Sequence, residues 1–138
     1  MTPTTEILTI TLDPKIWYRG KGSQGSKLLK FDQVTGARQQ CCLGIAATAC
    51  GVPDEVLLNR GELQVLLNRG ELQQRPKVYD ALPDGPLQRM IDRSHAGDYA
   101  LLNTYNENDT DTGVTDAERV AAINRQVEPF GLRFVLGQ

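Results

Sequence analysis

The chain has 138 residues, 40% of them hydrophobic and 23% charged, with a formal net charge of −2 and a pI near 5.4. This length is typical of one domain of about 100–200 residues, and the composition excludes a disordered tail. No run approaches the roughly 20 apolar residues of a membrane span, and the N-terminus lacks the basic and apolar regions of a signal peptide. We therefore predict a single soluble domain in the cytoplasm.

Charge is distributed unevenly along the chain. Residues 1–42 carry six Lys/Arg and three Asp/Glu, and residues 43–138 carry nine and fourteen, so the net charges are +3 and −5. A basic N-terminal part favours an anionic partner, although a solvated face of mixed charge has the same composition. The aromatic residues are scattered, so binding to nucleic acid is not expected. The odd number of cysteines predicts reduced thiols rather than a disulfide framework.

The apolar pattern predicts an α+β fold in which a small antiparallel sheet packs against four or five short helices. In the first half of the chain the predicted elements are a strand at 7–12, a turn from Asp13 to Gly20, a Gly/Ser-rich loop at 20–26, a hairpin of 27–32 and 38–42 about Gly36, and a buried helix at 43–50. Alternation of apolar residues with threonine indicates the strand, and an alanine-rich composition followed by glycine indicates the buried helix.

Residues 56–64 and 65–73 have the same sequence, VLLNRGELQ. The chain must tolerate nine extra residues here, which is typical of a surface element. Each copy has its own glycine, Gly61 or Gly70, at which a helix would end. We therefore predict that a helix opened by residues 53–55 contains the repeat, and that the second copy is extruded at the surface.

The last third of the chain has the clearest helical signals. The predicted elements are a helix at 87–93 entered at Pro86, a helix that begins at Thr115 and ends near Pro129 and Gly131, and a terminal strand at 132–136. Thr115 and Glu118 have the spacing of a capping box. The polar stretch 106–113 is interpreted as a connection into this helix, because its residues do not match the ligand positions of an EF-hand.

The Gly/Ser-rich loop is the first candidate binding site. Its glycines allow backbone N–H groups to turn toward an anion, and its cations and hydroxyls complement phosphate. It is not a P-loop, because Ser26-Lys27 stands where Lys-Ser or Lys-Thr is required. The predicted ligand-binding residues are Trp17, Arg19, Lys21, Ser23, Ser26 and Lys27, with Trp17 as a stacking or packing surface. A plain flexible hairpin loop is the alternative.

Cys42 is the second candidate, as a thiol nucleophile. A thiol at a helix N-terminus has a lowered pKa, and cysteine hydrolases pair such a thiol with a histidine, here His95. Residues 42–53 loosely resemble the nucleophile segment of NlpC-type cysteine peptidases, but Cys41 stands where an Asp usually precedes the nucleophile. Packing of two small buried residues is the alternative. The cysteines and the histidine lack zinc-site spacing, and no metal or cofactor is predicted.

Several short segments resemble those of small uncharacterised proteins encoded by bacteriophages and prophages. The segments are Trp17-x-Arg19-Gly20, Leu28-Leu29, Cys41-Cys42-Leu43-Gly44, Cys50-Gly51-Val52-Pro53 and Asn106-x-Asn108-Asp109. The similarity extends from about residue 10 to residue 136, with the repeat as a variable insert. It implies no established activity and no catalytic residues. It does imply a role in binding, since small phage accessory proteins commonly inhibit a host protein, sequester a signalling nucleotide or adapt host machinery.

We therefore expect a non-enzymatic accessory protein that acts by occupancy in the host cytoplasm. Its partner would be a host defence protein that it inhibits, or a small phosphate-bearing ligand that it sequesters. One alternative is a cysteine hydrolase that uses Cys42 and His95. Another is a structural or assembly component, which would form a homo-oligomer.

Overall fold

The computed structural model describes residues 7–20, 27–58, 78–110 and 113–138. In chain order these residues form β1 (Leu8–Leu12), β2 (Lys30–Phe31), β3 (Arg38–Gln39), α1 (Cys42–Ala49), α2 (Asp54–Leu57), α3 (Val78–Ala81), α4 (Pro86–His95), α5 (Ala100–Asp109), α6 (Asp116–Val127), a 3-10 turn (Glu128–Phe130) and β4 (Leu132–Leu136). The predicted α+β class is confirmed.

The first and last strands lie side by side. β1 pairs with β4 in parallel, with Leu8 opposite Leu132 and Leu12 opposite Leu136. Alternate side chains of both strands, such as Ile10 and Leu132, are buried in the core. That core is completed by α6, which packs against β4, and by α1, which packs against β1.

The sheet differs from the single antiparallel one that the sequence predicts. Antiparallel pairing occurs in the short hairpin of β2 and β3, where Lys30 lies opposite Gln39. β1 and β4 form a separate parallel sheet. Parallel pairing needs a crossover of a dozen or more residues, which residues 13–131 supply. Period-two alternation indicates each strand, but it carries no information about the partner or its direction.

The predicted buried helix is α1. Cys41 is its N-cap, and the Cys41 sulfur accepts a hydrogen bond from the Gly44 N–H at 3.4 Å. Gly44 lies against the backbone of Leu28, so closely that a Cβ there would come within 2.0 Å of the Leu28 carbonyl oxygen. The absence of a side chain at Gly44 therefore lets α1 pack directly on the segment that precedes the hairpin.

The structure corrects the prediction that the polar stretch 106–113 is only a connection into the last helix. Residues 106–109 form the last turn of α5 instead of a connection. Leu101 and Asn108 are both buried, seven residues apart, so they share the inner face of this helix.

The capping box of α6 is confirmed: Thr115 Oγ1 accepts from the Glu118 N–H at 3.1 Å, and Glu118 Oε1 accepts from the Thr115 N–H at 3.2 Å.

The repeat begins inside α2. Val56 and Leu57, the first two residues of the first copy, are buried in the core. Residues 59–73 lie outside the described residues, so extrusion of the second copy stays a prediction.

Candidate anion-binding cleft

Asn108 connects three segments that are distant in sequence. Its side-chain oxygen accepts hydrogen bonds from the Trp17 indole N–H at 2.7 Å and from the Cys42 backbone N–H at 3.0 Å. Its side-chain nitrogen donates to the Tyr18 carbonyl at 3.1 Å and to Asp109 Oδ1 at 2.9 Å. The two acceptor and two donor positions of the amide are therefore all used, and Asn108 is buried. The structure thus brings together Trp17-x-Arg19-Gly20, the start of α1 and the end of α5.

Arg19 holds the turn that precedes the Gly/Ser-rich loop. Its Nε and Nη2 atoms form a bidentate pair with the carboxylate of Asp116, at 2.7 and 2.6 Å. Its Nη1 atom donates to the carbonyls of Pro14 and Trp17, and its guanidinium lies 4.8 Å from the centre of the Trp17 ring. The hydrogen bonds from Arg19 hold the pKa of Asp116 below its usual range. Arg19 therefore joins the turn to the first turn of α6.

Arg119 is a buried cation that sequence reasoning missed. It is 5% exposed, and its Nη1 atom donates to the carbonyls of Glu107, Asn108 and Thr110 at the C-terminal end of α5. These carbonyls have no partners within the helix, so a cation from α6 satisfies them. The Nε atom of Arg119 is buried and has no hydrogen-bond partner in the described part of the chain. A buried donor of this kind indicates an acceptor that the described residues do not supply.

Arg19 and Arg119 both line a polar cleft of about 510 Å³, which we call the anion cleft. Its described lining consists of residues 14–20, Gln39, Gly113, Val114 and Arg119. Its described lining includes the cations Lys15, Arg19 and Arg119, and no Asp or Glu. The anion cleft reaches Gly20, at which the predicted phosphate-binding loop begins.

The predicted ligand-binding residues differ from one another in exposure and in the contacts they make. Trp17 is only 2% exposed, so it is a packing surface, and a base cannot stack on it. Arg19 lines the anion cleft but is paired with Asp116. Lys27 is half-buried, and its carbonyl accepts a hydrogen bond from the Cys41 N–H. The remaining three predicted residues, Lys21, Ser23 and Ser26, lie outside the described residues.

The pKa prediction for Cys42 is wrong. The thiol does lie in the first residue of α1, but it is fully buried, and burial raises its pKa well above the usual value. Burial likewise raises the pKa of the Cys41 thiol to about 12. Loss of hydration outweighs the helix dipole, and repulsion from Cys41 and Asp109 raises the pKa of Cys42 further. The side chain of His95 lies outside the described residues.

The sequence offers partial signals for the residues it missed. Asn108 falls inside one of the segments that carry the phage-protein resemblance, whereas Lys15, Asp116 and Arg119 belong to none of them. A polar residue on the apolar stripe of a helix is a general sign of a buried hydrogen-bonding role. In the sequence, Arg119 stands between the helix cap and Val120, where the apolar stripe of the last helix begins. This position could have identified it as a buried polar residue.

Within the described ranges, no three His, Cys, Asp or Glu side chains come together as a metal site. None of the helices in those ranges is long and apolar enough to cross a membrane. No family model, curated protein or solved structure matches the chain.

Proposed function

We propose that the chain is a non-enzymatic accessory protein that captures a small anion of the phosphate class in the anion cleft. The observation that supports this proposal is the cationic lining of the cleft, which includes Lys15, Arg19 and Arg119 and lacks a carboxylate among its described residues. Positive groups that converge on a concave site raise the local concentration of an anion and desolvate it. The mechanism is occupancy, and no bond is made or broken.

The cations have different roles in this proposal. Asp116 already offsets the charge of Arg19, so Arg19 mainly orients the wall of the cleft. Lys15 is exposed and no hydrogen bond or ion pair of its side chain is found among the described residues, so its ammonium is available to a ligand. Arg119 supplies a buried guanidinium whose Nε has no acceptor among the described residues. In the sequence Lys21 lies within the predicted phosphate-binding loop and Lys27 follows it directly, and both would add positive charge.

The sequence left two kinds of partner open, a host defence protein and a small phosphate-bearing ligand. This proposal favours the small ligand. The cleft is concave and cationic, which suits an anion with several acceptor oxygens. The resemblance to phage accessory proteins supports capture as the biological role. Burial of the Cys42 thiol, together with its raised pKa, disfavours the hydrolase alternative.

Calorimetric titration with inorganic pyrophosphate tests the proposal. We expect the parent protein to bind it, and Lys15→Gln to weaken binding about tenfold, since a hydrogen bond to a charged group contributes about 1.5–3 kcal/mol. The double variant Lys21→Ala/Lys27→Ala should also weaken binding. Arg133→Gln is the control, because it removes one positive charge from an exposed position on β4, outside the cleft lining. No binding by the parent, or equal binding by the parent and Lys15→Gln, would contradict the proposal.

A further inference from the structure

A second groove lies elsewhere on the fold and shares only α6 with the anion cleft. It has a volume of about 750 Å³ and is lined by residues of α4, α5, α6 and the 3-10 turn. It shares no lining residue with the anion cleft. Its volume is in the range of about 300–1,000 Å³ that is typical of small-molecule sites. We call it the arginine groove, because Arg89, Arg93 and Arg125 line it.

The three arginines of this groove are engaged to different extents. Arg89 donates to the Phe130 carbonyl at 2.7 Å. Among the residues that the structure describes, the Arg93 side chain has only a long contact of 3.9 Å, with Asp98. Arg125 has no hydrogen bond or ion pair within the described part of the chain, and it is exposed. Positive charge is therefore available at Arg93 and Arg125.

The two carboxylates that line the groove already have internal partners. Asp92 accepts a hydrogen bond from the Tyr79 hydroxyl at 2.9 Å. Asp98 accepts one from the Ala100 N–H at 2.7 Å, at the start of α5, and also faces Arg93. These contacts direct the carboxylates to the protein, so they oppose an anionic ligand less than free carboxylates would.

The groove also has an aromatic surface and two amides. Tyr99 is 69% exposed, an unusual position for so large a ring in a folded protein, and Phe130 lies nearby in the lining. The amides of Asn103 and Gln126 are joined by one long hydrogen bond of 3.4 Å at an exposed position. A bond this long and exposed is easily exchanged for hydrogen bonds to a ligand.

We propose that the arginine groove binds a ligand of the nucleotide class, independently of the anion cleft. The base stacks on Tyr99, the phosphates contact Arg93 and Arg125, and the amides of Asn103 and Gln126 bind the edge of the base. Phosphate alone would leave the exposed ring unused, and an apolar ligand would leave the guanidiniums unpaired. Only a ligand with both a ring and an anion uses the whole lining.

Titration with ATP and with tripolyphosphate separates the parts of this proposal. We expect ATP to bind, and Arg125→Gln to weaken ATP binding about tenfold. Tyr99→Ala should weaken ATP binding about fivefold or more but leave tripolyphosphate binding unchanged, since stacking of a base contributes about 1–3 kcal/mol. Both residues are exposed, so neither variant removes a core contact.

Lys15→Gln distinguishes this site from the anion cleft. It should weaken pyrophosphate binding and leave the Tyr99-dependent part of ATP binding intact. Unchanged ATP affinity in Arg125→Gln would overturn the proposal. So would tripolyphosphate binding as tight as that of ATP together with no effect of Tyr99→Ala, because the groove would then be a general cationic surface. Loss of pyrophosphate binding alone would leave the groove proposal standing, so the two proposals can fail separately.

Discussion

At the scale of single residues, Asn108 illustrates how a buried amide can join distant segments. The backbone N–H of Cys42 and the indole N–H of Trp17 both depend on its oxygen. An unsatisfied buried donor costs about 1–3 kcal/mol, so this one amide stabilises more than a single hydrogen bond would. Asn106 is the same type of residue two positions earlier, but it is exposed.

Asn108→Ala should therefore lower the free energy of unfolding by about 3 kcal/mol, because two buried donors lose their acceptor. Asn106→Ala is the matched control and should change it by about 0.5 kcal/mol or less. Urea unfolding followed by tryptophan fluorescence measures both, since Trp17 is the single tryptophan. Equal losses in the two variants would show that other groups or water replace the Asn108 amide.

Cys42 shows how a correct local prediction can lead to a wrong chemical one. The helix begins at this residue, one position before the predicted start at residue 43. The helix dipole stabilises a nearby thiolate by only about 0.3–2 kcal/mol, and the loss of hydration on full burial costs more than that. Full burial reverses the direction of the pKa shift. Burial is a property of the packed molecule, which the pattern around Cys42 does not report.

At the scale of elements, α2 constrains the repeated sequence. Val56 and Leu57 fill part of the core, so one copy of the repeat is needed for packing. Nothing in the described contacts requires two copies. Because the copies are identical, deletion of 56–64 and deletion of 65–73 yield the same protein.

Deletion of 65–73 should leave a cooperatively folded protein whose Tm differs by only a few degrees. The reason is that shortening a surface connection by nine residues changes its closure entropy little. Deletion of both copies, residues 56–73, is the control. It removes Val56 and Leu57 and should strongly destabilise the protein, by several kcal/mol. Calorimetry measures both transitions. Loss of the folding transition in the single-copy protein would show that the second copy contributes to the core or to an interface.

At the scale of the whole molecule, Arg19 and Asp116 tie the N-terminal turn to α6 across 97 positions of sequence. The Arg19 hydrogen bonds lower the folded pKa of Asp116 below its unfolded value. A lowered folded pKa means that the pair stabilises the fold above the unfolded pKa of about 3.9. This contribution is lost as the pH falls through the folded pKa.

The free energy of unfolding of the parent should therefore fall more steeply than that of Asp116→Asn between about pH 5 and pH 2. Asp84→Asn is the control, because Asp84 is exposed and has no ion pair among the described residues; it should follow the parent curve. Urea unfolding at a series of pH values measures all three proteins. Parallel curves for the parent and Asp116→Asn would contradict a stabilising pair.

The sequence by itself determined the features that depend on neighbours within a few residues. These are the strand β1, the helix α1, the capping box of α6 and the terminal strand β4. Period-two alternation, alanine content and cap spacing are local, so each of them can be detected without knowledge of the fold. Trp17 and Arg19 were singled out in the same way as ligand-binding residues, and packing was one of the two roles expected of Trp17.

Only the tertiary structure decided the parallel pairing of β1 with β4, the burial of Cys42 and Trp17, and the joining of Trp17 to Asn108 across 91 positions. Burial and pairing depend on which distant surfaces exclude water together. That exclusion is a property of the packed chain, and short-range patterns do not encode it. The anion cleft and the arginine groove also depend on the tertiary structure, because each is lined by residues from segments that are far apart in the sequence.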